Sequence, residues 1–299
     1  MMWKITVSSL LAGWLSVVGI GFAAEQDYAA RFKELQKLKA DAQIDPLLDQ
    51  WRAQKPNDPD AWITSANYYF NLALSPTVST KTSERGDFDI VDKKTGKIAG
   101  SMSFKPHDAL AKKAAQFLAE ATKRFPNRLD IWCGLAYMHQ ERGDFESEFA
   151  TLKSMVAYAR DHSTELRWLK GAPLPAPRDE FLADKLHTYT LYYHKKDAKP
   201  FLKLATFAAE QFPNKVYAYN DVAALNADSG DDKGAREWLE KANLVAPKDT
   251  LVLMNLGRVC ANLGDVASAG KYFGQVVTLE PNGKYAQQAK EALRRLKKK

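Results

Sequence analysis

Apolar and small residues recur along this chain at helical spacing, and in its second half the pattern copies itself. Pro213, Pro247 and Pro281 stand 34 residues apart. The same step separates Ala208 from Ala242, Gly230 from Gly264, Asp231 from Asp265, Ala235 from Ala269, and the bulky pair Leu239 and Phe273. Bulky side chains at i, i+3, i+4 and i+7 predict an amphipathic helix. Each period holds two such stripes, parted by a glycine and closed by a proline. Glycine supplies the positive φ on which many helices end, and proline cannot continue a helix. The spacing therefore predicts antiparallel helix pairs over residues 216–247 and 250–281, with small residues at the close approaches.

Self-similarity at this period marks stacked helical hairpins, each unable to bury its apolar face alone. One copy runs through Tyr219, Val222, Ala223, Gly230, Ala235, Leu239, Ala242 and Pro247. The next runs through Leu253, Leu256, Gly257, Gly264, Ala269, Phe273, Val276 and Pro281. On these residues the chain resembles the tetratricopeptide repeat (TPR) family. The resemblance implies an all-α fold, a right-handed α-solenoid of stacked antiparallel helix pairs. A second ruler carries it toward the N-terminus: a bulky residue lies six positions after the closing proline at Tyr219 and Leu253, and the same offset joins Pro56 to Trp62 and Pro126 to Trp132.

The rhythm slips twice. Pro126 and Pro213 are 87 residues apart, two periods plus 19, and the excess falls in residues 161–177, where Pro173, Pro175 and Pro177 predict a loop. The hairpin that follows is degenerate: Lys196 stands at its turn in place of glycine, Phe201 replaces a small residue, and an altered packing angle is expected. The larger slip interrupts the first hairpin. Residues 88–91 and 97–104 alternate like strands around Lys93, Lys94, Thr95 and Gly96, which predicts one β-hairpin insertion.

The chain then divides as a signal segment at 1–23, a leading helix pair at 24–58, and a TPR-like hairpin at 59–127 with its insertion at about 75–107. A TPR follows at 128–160, the proline loop at 161–177, the degenerate TPR at 178–214, TPRs at 215–248 and 249–282, and a C-terminal capping helix with a basic tail at 283–299. The leading pair is expected to bury Phe32, Leu35, Leu38, Leu47, Leu48 and Trp51.

Composition changes the picture mainly at the ends. Lys4, an uncharged apolar run over residues 5–20 and the small residues Gly21 and Ala23 form the three parts of an export signal, with an uncleaved anchor as the rival reading. A periplasmic or secreted protein is expected, with no integral membrane segment after cleavage. Loss of residues 1–23 removes one lysine and no acid, so the formal charge drops from +7 by one to +6. Export excludes the usual nucleic-acid reading of a basic chain.

No catalytic motif is present, and no catalytic, cofactor-binding or metal-ligating residue is assigned. His107, His139, His162, His187 and His194 form no metal-binding spacing, and no phosphate-binding glycine loop occurs. Three repeats separate Cys133 from Cys260, well beyond the roughly 7 Å that a disulfide tolerates, so both are expected as free thiols.

The resemblance implies a function instead: a non-catalytic scaffold that binds a protein or peptide segment in the concave groove of its first helices. Carried over by repeat position, the groove residues are Ile63, Asn67, Phe70 and Asn71; Tyr137 and Gln140, with Cys133 and Glu141 beside them; Tyr217 and Asn220, with Asp228; and Leu251, Met254, Arg258 and Asn262. The alternative is an enzyme or enzyme subunit with a cleft under the insertion. Strand edges of the insertion are also candidates for homo-oligomer contacts.

Overall fold

The computed structural model describes residues 27–81, 87–104 and 106–297. The segment at 1–23, expected as an export signal, lies outside the described residues. Among the described residues no helix is long and apolar enough to cross a membrane. The chain forms two compact units, Met1–Pro56 and Asn57–Lys299.

The first unit holds α1, Tyr28–Leu38, and α2, Ile44–Gln54. The Asp27 carboxylate caps α1 by accepting from the Ala30 N–H at 2.9 Å. Tyr28 stacks on Trp51 with ring centroids 5.8 Å apart and donates to Gln54 Oε1 at 2.7 Å. Leu35, Ile44, Leu47 and Leu48 complete the core, whereas Leu38, expected inside, is 64% exposed. Leu38 ends its helix just before the left-handed Lys39, so the chain turns away before it can be covered.

The second unit is a solenoid of stacked antiparallel helix pairs: α3 (Pro59–Leu74) with α4 (Asp108–Arg124), α5 (Leu129–Glu141) with α6 (Phe145–Asp161), α7 (Arg178–Tyr192) with α8 (Ala198–Gln211), α9 (Val216–Asp228) with α10 (Asp232–Val245), and α11 (Thr250–Asn262) with α12 (Val266–Leu279). A single helix, α13, Ala286–Leu296, closes the stack on α12 through Ala289, with Tyr285 and Leu293 at its margin.

One device makes the sharp turns within pairs. Gly143, Gly230 and Gly264 adopt φ of 69°, 83° and 79°. The aspartate after each glycine donates its N–H to the carbonyl five residues back, as Asp231 does to Asn226 at 2.8 Å and Asp265 to Cys260 at 2.9 Å. Its carboxylate then caps the next helix, on Ser147, Gly234 or Ser268. In the degenerate pair the left-handed residue is Lys195, with φ of 62°, one place before the expected Lys196.

The prolines fall just beyond helix ends. The residues before them, Phe125, Phe212, Ala246 and Glu280, leave the α region, as a following proline requires. The aromatic six places on has a second role besides packing. Trp132 Nε1 donates to the Pro126 carbonyl at 2.9 Å and the Tyr219 hydroxyl to that of Pro213 at 3.0 Å, which satisfies a carbonyl left open between helices.

The insertion holds three strands, not two. β1 (Thr77–Ser79), β2 (Phe88–Val91) and β3 (Ile98–Ser103) form an antiparallel sheet in the order β1-β3-β2. Val78 pairs with Met102, and Met102 with Phe88, so the three share one face, on which Val78 and Phe88 are exposed. The β2–β3 turn is held by Asp92, whose carboxylate accepts from the N–H groups of Lys94 and Thr95, both at 2.8 Å. Those bonds lower its pKa.

The second slip is a built junction. Helices α6 and α7 pack more sparsely along their backbones than the other sequential pairs of the solenoid. The loop between them returns to the start of α5: Arg167 donates to the Asn127 carbonyl at 2.8 Å, and Leu129 donates to the Arg167 carbonyl at 3.0 Å. Leu166 is buried, and Trp168 meets Phe181 edge-on at 4.8 Å. Across this junction Glu148 of α6 is fully buried and accepts from Gln140 Nε2 at 2.9 Å and from the Tyr193 hydroxyl. Burial pushes its carboxyl up to about 7, against the pull of the two hydrogen bonds.

Candidate partner-binding groove

First helices α3, α5, α9 and α11 each offer an open stripe and a closed one. The ninth and thirteenth repeat positions are open: Asn67 and Asn71 on α3, Tyr137 on α5, Asp228 on α9, and Arg258 and Asn262 on α11 are exposed. Leu251 is exposed, and Tyr217, Glu141 and Ile63 are half-buried. The fifth and twelfth positions turn into the stack, so Phe70, Gln140, Asn220 and Met254 are buried, as is Cys133. The reason is helical geometry. At 100° per residue, positions 2, 9 and 13 fall within about 40° of one another, while 5 and 12 lie about 70° away toward the neighbouring helix.

The buried members serve the stack. Phe70 and Met254 sit in the apolar core, Gln140 holds Glu148, and Asn220 Oδ1 accepts from Asn255 of the next first helix at 3.3 Å. Burial drives the Cys133 thiol up to about 12, and both cysteines are free.

The open members are linked across helices. Tyr137 packs on the edge of Phe70, centroids 5.8 Å apart. The Tyr217 hydroxyl lies 3.5 Å from Asp184 Oδ1 of α7, and its ring 4.6 Å from that of His187. His187 Nδ1 meets Asp221 Oδ2 of α9 at 2.9 Å. Arg258 donates to Gln288 at 2.8 Å and Asn262 to Asp232 at 3.2 Å. The part played by α7, with Asp184, Thr188 and Leu191 exposed, escaped the position-by-position reading because its hairpin has lost the repeat's landmarks.

The centre of the groove is negative. Glu141, Asp184 and Asp228 form no ion pair with lysine or arginine among the described residues, and Asp184 lies close enough to His187 to raise its pKa. Burial raises the pKa of Tyr137, and Glu141 raises it further; burial and then Asp184 do the same for Tyr217. The hydrogen bond to Asp221 raises the pKa of His187, against the downward pull of burial. Among the described residues no group of three or more His, Cys, Asp or Glu could hold a metal ion.

Helix pairs of this length, turn and stacking define a TPR-type solenoid. Several solved structures to which the chain is similar are described as TPR proteins. The C-terminal part of a TPR repeat-containing protein from Cytophaga hutchinsonii is 13% identical, matches over 88% of this chain and 84% of its own, and gives a TM-score of 0.40. YrrB, described as a TPR protein with an unusual peptide-binding site, is 11% identical over 82% of this chain and 97% of its own, with a TM-score of 0.38. The Sgt2 TPR domain from Aspergillus fumigatus is 26% identical over 42% and 80%, with a TM-score of 0.36. No protein-family model matches the chain, and no curated protein matches it.

Proposed function

We propose that this protein is a non-catalytic interaction scaffold of the cell envelope, and that it holds an extended, cation-bearing segment of a partner protein along its first helices. The observation that carries this reading is the groove's own charge. Glu141 lies beside Tyr137 and Asp184 beside Tyr217, with Asp228 at the far end of α9, and none of the three forms an ion pair with lysine or arginine among the described residues, in a chain whose net charge is +7. An arginine or lysine laid there pairs with carboxylate and rests on a tyrosine face. The molecule already makes such a contact, with Lys196 Nζ 3.6 Å from the centre of the Tyr192 ring.

The test is fluorescence anisotropy with extended Arg-rich and Glu-rich peptides on the full chain. The Arg-rich peptide should bind, more weakly as salt rises, and the triple substitution Glu141→Gln, Asp184→Asn, Asp228→Asn should weaken it about tenfold or more, roughly 1.4 kcal/mol. Equal binding of both peptides would remove the reading. Envelope placement rests on residues 1–23, and recovery of the chain in the cytoplasmic fraction would remove that part.

A further inference from the structure

A wide cleft of the solenoid lies outside the first-helix groove. It is an open space of about 870 Å³ between the second helices α6 and α8, reaching the end of α9. Its wall carries Phe149, Leu202, Phe207 and Leu225. Phe149 and Phe207 meet edge-on at 5.4 Å across the two helices, and Leu202 is 37% exposed. Lys153, Lys199 and Lys203 stand around these side chains, with Glu210 at one end.

Phe149, Phe207 and Leu225 lend one side to the core, and comparison with the regular repeats shows that an apolar group is not required at the position of Phe149 and Leu202. The capping aspartates Asp144, Asp197, Asp231 and Asp265 set the four second helices in register. Five places after each cap stand Phe149, Leu202, Arg236 and Gly270. Ten places after stand Ser154, Phe207, Lys241 and Gln275. The regular pairs thus stack with an arginine or no side chain where α6 carries the half-buried Phe149 and α8 the exposed Leu202. The charge is also one-sided. Lys203 is tied to Glu146 at 2.8 Å, but Lys153 and Lys199 have no carboxylate partner among the described residues.

We propose that this cleft is a second docking site, and that it takes an acidic amphipathic helix of a partner protein, its apolar stripe on Phe149, Leu202 and Phe207 and its carboxylates on Lys153 and Lys199. The open shape and mixed lining fit a helix laid in a groove. This site is independent of the first-helix groove and opposite to it in charge preference.

The experiment is fluorescence anisotropy on the full chain with a labelled four-turn helical peptide, leucine at i, i+3, i+4 and i+7 and glutamate on the other faces, beside a twin with lysine for glutamate. The glutamate peptide should bind and the lysine peptide should not. Leu202→Gln, polar like the arginine of the regular repeats at that position, and Lys153→Glu with Lys199→Glu should each lower affinity at least about tenfold, with melting unchanged. Asp184→Asn in the first-helix groove should leave binding as it was. Equal binding of the two peptides, indifference to the lysine reversals, or self-association of the chain through this face in place of peptide binding would overturn the proposal.

Discussion

The two pairs α9–α10 and α11–α12 and the two pairs α5–α6 and α7–α8 are built from the same parts, yet they use their side chains differently. In the regular pairs the glycine turn, the aspartate cap and the closing proline recur in step, and the second helices carry Arg236, paired with Glu240 and Asp265, and Gly270 at the position of Phe149 and Leu202. In the central pairs the step is broken by the loop at 161–177. A lysine takes the left-handed turn, a carboxylate is buried at the junction, and phenylalanine and leucine line an open cleft. Both halves leave apolar side chains exposed, Leu244, Val266 and Leu279 in the regular pairs and Leu202 in the central ones; in the central pairs Leu202 stands with Phe149 and Phe207 in one cleft, where a partner can use them together.

The sharpest break of this comparison is in the regular half. Phe273 is 2% exposed, and a Cβ added at Gly257 would lie 2.5 Å from its ring, so the fit is close. Phe273→Ala should cost about 3–5 kcal/mol, read as a drop in the denaturation midpoint at constant slope. An effect below about 1 kcal/mol would show that the regular pairs are not tightly stacked.

The junction gives the next largest effect, and it depends on pH. Glu148 has its pKa raised from 4.5 to about 7 in the folded protein, so between those values the folded state holds a proton that the unfolded state has lost. Stability from this group is greatest below pH 4.5 and falls as pH rises toward 7, by up to about 3 kcal/mol at roughly 1.4 kcal/mol per unit. Glu148→Gln should flatten that slope while keeping the Tyr193 bond, with the Gln140 amide reversed. Urea denaturation across this range, wild type against variant, reads it; parallel slopes would show that Glu148 is not the group responsible.

Smaller still is the turn. Lys195 holds a left-handed backbone that costs a side-chain-bearing residue roughly 1–2 kcal/mol. Lys195→Gly, which restores the residue type of the regular turns, should raise stability by about 1 kcal/mol in thermal or urea denaturation. A loss would mean that the lysine side chain is itself needed.

Much of the fold was legible because its signals are local and recur. The glycine–aspartate turns, the closing prolines and the strands on either side of Lys93–Gly96 each follow from a few adjacent residues. What was not legible depends on adjacency across the stack. β1 is three residues after Pro76 and recognisable only by its pairing with β3. Groove positions carried over one by one included Phe70, Gln140, Asn220 and Met254, because repeat position does not say how closely the next helix covers it. The buried Glu148 looked like any surface glutamate until Tyr193 was brought to it. The α6–α8 cleft did have a sequence signal, apolar Phe149 and Leu202 against Arg236 and Gly270, visible once the aspartate caps were aligned.

Native-state hydrogen exchange on the free chain tests most directly whether stacking is strongest where the register is kept. The account predicts that amides of α9–α12 exchange together and last, while α7 and the sheet at 77–103 open at lower free energy. Uniform protection along the solenoid, or opening of α11 and α12 before α7, would contradict it.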